Sequence, residues 1–125
     1  MTKEEFLLDT IKYYSENPSF RCVTESKCAY SPKTLGKDGD GCAIGRWLDE
    51  ELKLELDEYK NSSVLSESVY QKLPEWIKSL GKSFLNSVQD LHDNDYHWSN
   101  GLSDMGKTQV NFIIDTYDLN IPKYK

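Results

Sequence analysis

Long apolar runs are missing from this chain, and so are most of the residues that ordinarily carry chemistry. No stretch approaches the roughly 18–20 apolar residues that a bilayer-spanning helix needs, so no membrane partner is expected. The first residues, Met1-Thr2-Lys3-Glu4-Glu5, show no positive region followed by an apolar core, and a signal peptide is not expected either. Cysteine is scarce and odd in number: three residues cannot complete a disulfide framework, and reduced thiols in a cytoplasm are the simplest expectation. Asn61-Ser62-Ser63 fits a glycosylation pattern that has no meaning in that compartment. There are two histidines, and two arginines against thirteen lysines. With a net charge of −6 and no basic stripe, direct binding to a nucleic-acid backbone is not expected.

What is present describes one globular domain. A length of 125 residues can bury a real core without a metal or disulfide staple, and 38% apolar with 29% charged residues gives a well-covered surface. Residues 1–125 read as a single domain with a short tail at 120–125, without repeats or low-complexity linkers.

Thr2 and Glu5 form a capping box for a first helix with Leu7, Ile11 and Tyr14 on one face, stopped by Asn17-Pro18. Phe20 to Thr24 and Lys27 to Tyr30 are short and suited to strands. Lys37-Asp38-Gly39-Asp40-Gly41 reads as a turn, and Cys42-Ala43-Ile44 as the returning strand of a small hairpin. Helical patterns follow around Trp47, Leu48 and Leu52, after Pro74, and over Phe84, Leu85, Val88, Leu91 and His92. A last helix has Ser103 or Asp104 as its cap and Val110, Ile113, Ile114 and Tyr117 as its apolar face. The expected fold is α+β and mainly helical: four or five helices packed around a small β-hairpin.

The densest polar cluster is His92-Asp93-Asn94-Asp95-Tyr96-His97-Trp98. Imidazole beside carboxylate is the ligand set of many metal sites, so a metal-dependent hydrolase built on His92, Asp93, Asp95 and His97 is the alternative to weigh. The adjacent His-Asp pair also occurs in HD-type phosphohydrolases, but those need a further histidine upstream, and none precedes position 92. The simpler reading makes His92 the end of an apolar stripe, its positive charge suiting the helix C-terminus, with Trp98 anchoring the loop. No metal and no cofactor are expected.

Cys22, Cys28 and Cys42 are separated by five and thirteen residues, not by the short spacing of structural zinc ligands, and buried thiols are expected. The glycine-rich turn from Gly36 to Gly45 fails as a calcium loop, because Gly36 and Trp47 fall where acids belong. It fails as a phosphate loop because it lacks the Gly-Lys-Ser/Thr ending. The acidic run from Asp49 to Glu58 reads as a solvated helix face or loop, the alternative being mimicry of a nucleic-acid backbone, for which a net charge of −6 is not strong. Arg21 and Arg46 flank the expected hairpin, which would place two guanidinium forks on one side, a pairing suited to carboxylate or phosphate. The competing expectation is that each closes an internal ion pair.

Cys28-Ala29-Tyr30, Cys42-Ala43-Ile44-Gly45, and Val88-Gln89-Asp90-Leu91-His92-Asp93 followed by Trp98 together resemble a pattern of small uncharacterised proteins of bacteriophages and prophages. The resemblance spans roughly residues 20–118, with departures at Val88, where leucine is usual, and at Arg46, where a small residue or cysteine is common. It implies a shared fold and provenance, and no catalytic residue comes with it. The function expected is that of a small accessory protein acting by binding, either inhibiting a host or defence protein or sequestering a small anionic, nucleotide-like ligand in the host cytoplasm. A homo-oligomeric assembly module is a further alternative. The residues expected to contact the ligand are Arg21, Tyr30, Arg46, Trp47, His92, Asp93, His97 and Trp98, with no catalytic residue among them.

Overall fold

A computed structural model describes residues 1–24 and 28–125. Helix α1 (Lys3–Glu16) starts as the sequence dictates: the Glu5 N–H donates to Thr2 Oγ1 at 3.1 Å, and the Thr2 N–H donates to Glu5 Oε1 at 2.8 Å. It buries Phe6, Leu7, Thr10 and Tyr14, whereas Ile11 is only half-buried. Short helices follow: α2 (Pro32–Leu35), α3 (Glu50–Asp57), α4 (Glu67–Tyr70) and α5 (Glu75–Lys78). The long elements of the second half are α6 (Lys82–Asp93) and α7 (Asp104–Thr116). Single 3₁₀ turns lie at Pro18–Phe20, Gly45–Trp47 and Asp95–His97.

The expected hairpin does not form. Among the described residues there is no strand, only the isolated antiparallel bridges Val23–Cys28 and Trp98–Leu102, so the fold is all-α with seven α-helices. Lys27, which opens the second expected strand, lies outside the described residues. The physical reason lies in residues 42–48. Cys42, Ala43 and Ile44 are all buried in succession, whereas a half-buried strand would alternate. The segment coils instead, with the Arg46 N–H donating to the Cys42 carbonyl at 3.0 Å and the Leu48 N–H to the Gly45 carbonyl at 2.9 Å. It approaches the 28–31 segment backbone to backbone: a Cβ at Gly41 or at Gly45 would collide with the Tyr30 carbonyl oxygen. The glycines permit a close approach, not a strand ladder.

The apolar face of α6 (Phe84, Leu85, Val88, Leu91 and His92) is buried as its spacing predicts, against α1 on one side and α7 on the other. Phe6 stands among Trp47, Trp76 and Phe84, with ring centroids 6.1–6.3 Å away. The chain end is tied down, since Asn111 and Tyr124 exchange two hydrogen bonds of 2.8 Å. No helix among the described residues is long and apolar enough to cross a membrane.

Asp57, at the end of α3, fixes the irregular middle of the chain. Its carboxylate accepts from the Tyr30 N–H at 2.7 Å, the Ser31 N–H at 3.0 Å and the Thr34 hydroxyl at 2.6 Å, which satisfies orphan donors at the start of α2. Replacing Asp57 by Ala should therefore cost about 2–3 kcal/mol, because two backbone donors lose a charged acceptor. Urea unfolding monitored by circular dichroism would measure it, and an unchanged midpoint would contradict this role.

Candidate functional site

The polar cluster at the end of α6 resolves into a network with His92 at its centre. The imidazole is fully buried. Its Nε2 lies 3.1 Å from the Cys22 backbone nitrogen, and its Nδ1 2.6 Å from Asp93 Oδ1. A backbone N–H can only donate, so Nε2 carries the lone pair and Nδ1 carries the proton that goes to Asp93. The ring is thus neutral, and burial pushes its pKa down from the ordinary 6.5 despite the Asp93 carboxylate. This corrects the expected positive charge at the helix terminus. Tyr14 stacks edge-on against the ring at 4.7 Å.

Arg21 takes the place that charge would have filled. Its Nε donates to the His92 carbonyl at 2.9 Å, and its Nη1 pairs with Asp95 at 2.9 Å. Lys37 Nζ in turn donates to the carbonyls of Arg21 and Val23. Arg46 pairs with Asp9 and lies over the rings of Tyr13 and Trp47, at 4.5 and 4.3 Å. The two arginines therefore serve separate partners rather than one anion. His97 Nδ1 and Trp98 Nε1 both engage the Leu91 carbonyl, at 3.1 and 2.9 Å. His92, Asp93, Asp95 and His97 do not converge. Among the described residues no group of three or more His, Cys, Asp or Glu side chains could hold a metal ion.

A cleft of about 340 Å³ opens on the side of α6 opposite its apolar stripe. One wall is a polar stripe of α6 itself: Asn86, Gln89, Asp90 and Asp93. The facing wall is the loop from Lys60 to Val64, and the base is formed by Cys28, Ala29, Tyr30 and Cys42. Tyr30 holds the loop in place, its hydroxyl donating to the Ser62 carbonyl at 2.5 Å. Gln89 braces the other side, with Nε2 donating to Asp93 Oδ1 at 2.8 Å. Of the residues expected to contact a ligand, Tyr30 and Asp93 line this cleft. His97 lines a neighbouring shallow depression with Asp90, Asp93, Asn94 and Gln109. Arg21, Arg46, Trp47, His92 and Trp98 line neither.

None of Asn86, Gln89, Asp90 and the 60–64 loop was among the residues expected to contact a ligand: Gln89 and Asp90 entered only through the resemblance, and the loop only through a glycosylation pattern. Their signal was positional: 86, 89, 90 and 93 repeat at helical spacing on the face that the apolar stripe leaves free. Cys22 and Cys42 are buried as expected, whereas Cys28 is exposed at the cleft. Its thiol is nonetheless pushed up to about 11, first by withdrawal of the sulfur from water and then by the Asp93 carboxylate. Burial raises Cys42 further still. Neither thiol is poised as a nucleophile at neutral pH. Neither a protein-family model, nor a curated protein, nor a solved structure matches this chain.

Two outcomes follow from these protonation states. The folded state disfavours protonation of His92, so its contribution to stability is complete above pH 6.5 and is lost as pH falls below that value. Between pH 7.5 and 5.5 the unfolding free energy should fall with a slope of at most about 1.4 kcal/mol per pH unit from this residue. Urea titrations of the wild type and His92→Gln should show that component in the wild type alone; equal slopes would refute it. Cys28 should react slowly with iodoacetamide at pH 7.5, and Asp93→Asn should accelerate it by removing the carboxylate that opposes the thiolate. Peptide mass mapping would read both rates, and a slower reaction in the variant would contradict the assignment.

Proposed function

We propose that this chain acts by binding, and that the cleft between α6 and the 60–64 loop holds a small ligand. The observation that carries the reading is how the polar groups are divided. Both imidazole nitrogens of His92 are consumed by contacts within the protein and each arginine is paired with its own aspartate, with Arg21 Nη2 and Arg46 Nε left buried without a hydrogen bond, while the cleft keeps accessible polar side chains without internal partners. Among the described residues the side chain of Asn86 makes no hydrogen bond, and the carboxylate of Asp90 makes neither a hydrogen bond nor an ion pair, although its backbone carbonyl accepts from the Asn94 N–H. A general base needs a free lone pair within reach of its proton, and the His92 lone pair accepts from the Cys22 backbone. A lowered pKa activates a thiol as a nucleophile, and both cleft thiols are instead raised, Cys28 by withdrawal from water and by the Asp93 carboxylate, Cys42 by burial.

The resemblance to small phage and prophage proteins supports an accessory role of this kind. Concavity supports sequestration of a small molecule over inhibition of a protein, because about 340 Å³ enclosed by two walls and a partly apolar base suits a ligand of modest size. Backbone NMR of the labelled protein against a fragment library of mixed charge tests the reading. The expected result is shifts confined to Cys28–Tyr30, residues 60–64 and residues 86–93, with every fragment recovered intact by mass spectrometry. Shifts only elsewhere, or a converted fragment, would overturn it.

A further inference from the structure

We propose that the occupant of this cleft is a flat ring bearing an amidine-type edge, such as an amidine, a guanidine or a guanine-like base, with its N–H groups donating to the carboxylates of Asp90 and Asp93. The proposal rests on the reading of the cleft as a ligand site and specifies the chemistry that site takes. The first argument is the sign of the charge. Asp90 and Asp93 stand on one wall, and Lys60 is the one cation among the described residues that line the cleft. An anionic ligand would meet two carboxylates at close range.

The second argument is where those carboxylates sit. Both belong to the last turn of α6, whose exposed carbonyls already make that end negative. Acids there oppose the helix dipole, and cations are the residues that suit the position. Asp95, just beyond the helix, is neutralised by Arg21. Asp90 has no cationic partner among the described residues, and Asp93 is met by uncharged groups, the neutral imidazole of His92, the amide of Gln89 and the Cys28 thiol. The cleft therefore keeps a negative charge that the protein does not itself compensate. Asp90 is a weaker acid than usual, first through the partial withdrawal of its carboxylate from water and then through repulsion by Asp93.

The third argument is shape and polarity. Ala29, Tyr30, Cys42 and Val64 give the cleft an apolar base and side, while Asn86 offers both a donor and an acceptor beside the carboxylates. Two parallel N–H groups on a planar ring match a carboxylate in two-point fashion and leave the ring for the apolar surface.

Benzamidine, benzoate and benzamide share size and ring and differ in the charge and donors of the edge. Each is titrated into the 15N-labelled protein at low ionic strength, alongside Asp90→Asn, a substitution of an exposed and unpaired side chain that leaves the fold intact. The expected result is saturable shifts at residues 28–30, 60–64 and 86–93 with benzamidine, none with benzoate, and about tenfold weaker benzamidine binding to the variant. Stronger binding of benzoate in the cleft would overturn the amidine assignment while leaving the cleft as a ligand site. Benzamidine binding that is indifferent to Asp90→Asn, or that lies elsewhere, would also overturn it. Silence from all three probes would overturn the amidine assignment, and the fragment library would decide separately whether the cleft binds anything.

Discussion

One buried imidazole joins the two halves of this fold. Among its described residues the chain from Pro18 to Leu48 contains no helix longer than four residues, so they do not stabilise themselves by helical propagation. Its backbone must find partners elsewhere, and the hydrogen bond from the Cys22 N–H to His92 Nε2 supplies one at the most buried point of the junction. Because a neutral imidazole has one donor and one acceptor, accepting from Cys22 obliges Nδ1 to donate, and Asp93 is placed to receive. Arg21 then closes the junction from outside by donating to the carbonyl of His92 itself. Each step depends on the one before.

Asp57 performs the same service at the other end of the irregular segment. The two anchors define what the segment can be: residues 28–31 are held against α3 by Asp57 and residues 21–23 against α6 by His92, while Lys37 ties the 21–23 carbonyls to the segment's own later part. Between them the Gly41–Gly45 coil presses its backbone on the Tyr30 carbonyl. Tyr30 is therefore fixed from both sides, and its hydroxyl can position the Ser62 carbonyl and with it one wall of the cleft. The cleft is a consequence of how the irregular segment is tethered.

This division explains what was legible from sequence. The Thr2–Glu5 capping box, the α6 stripe and the Ser103-capped α7 are local patterns, with the signals lying within a few residues of one another. The coil at 42–48 was not legible, because Cys42-Ala43-Ile44 looks like a short strand until its burial on every side is known. Only the tertiary neighbour, Tyr30, shows that the flanking glycines serve close packing and not a hairpin. The candidate site was half legible. The His92–Trp98 cluster drew attention through its residue types, yet rarity of histidine and arginine marked the residues that hold the fold together. Those facing open space were ordinary amides and an aspartate, whose residue types point to no particular chemistry and which declare themselves only once the apolar face of α6 is assigned.

Asp93 belongs to both systems, and this limits what the cleft can do. Its Oδ1 is committed to the His92 ring and to Gln89, so a proton taken up by this carboxylate would weaken the contact that keeps His92 oriented towards Cys22. An acid–base role for Asp93 would loosen the fold at each turnover. A ligand that leaves the carboxylate ionised has the opposite effect, since donors placed on its free oxygen stabilise the charge on which the His92 junction relies. By linkage, occupancy of the cleft and stability of the junction then rise together. The commitment of Asp93 to the His92 junction therefore supports the proposed binding role over an acid–base role for this carboxylate.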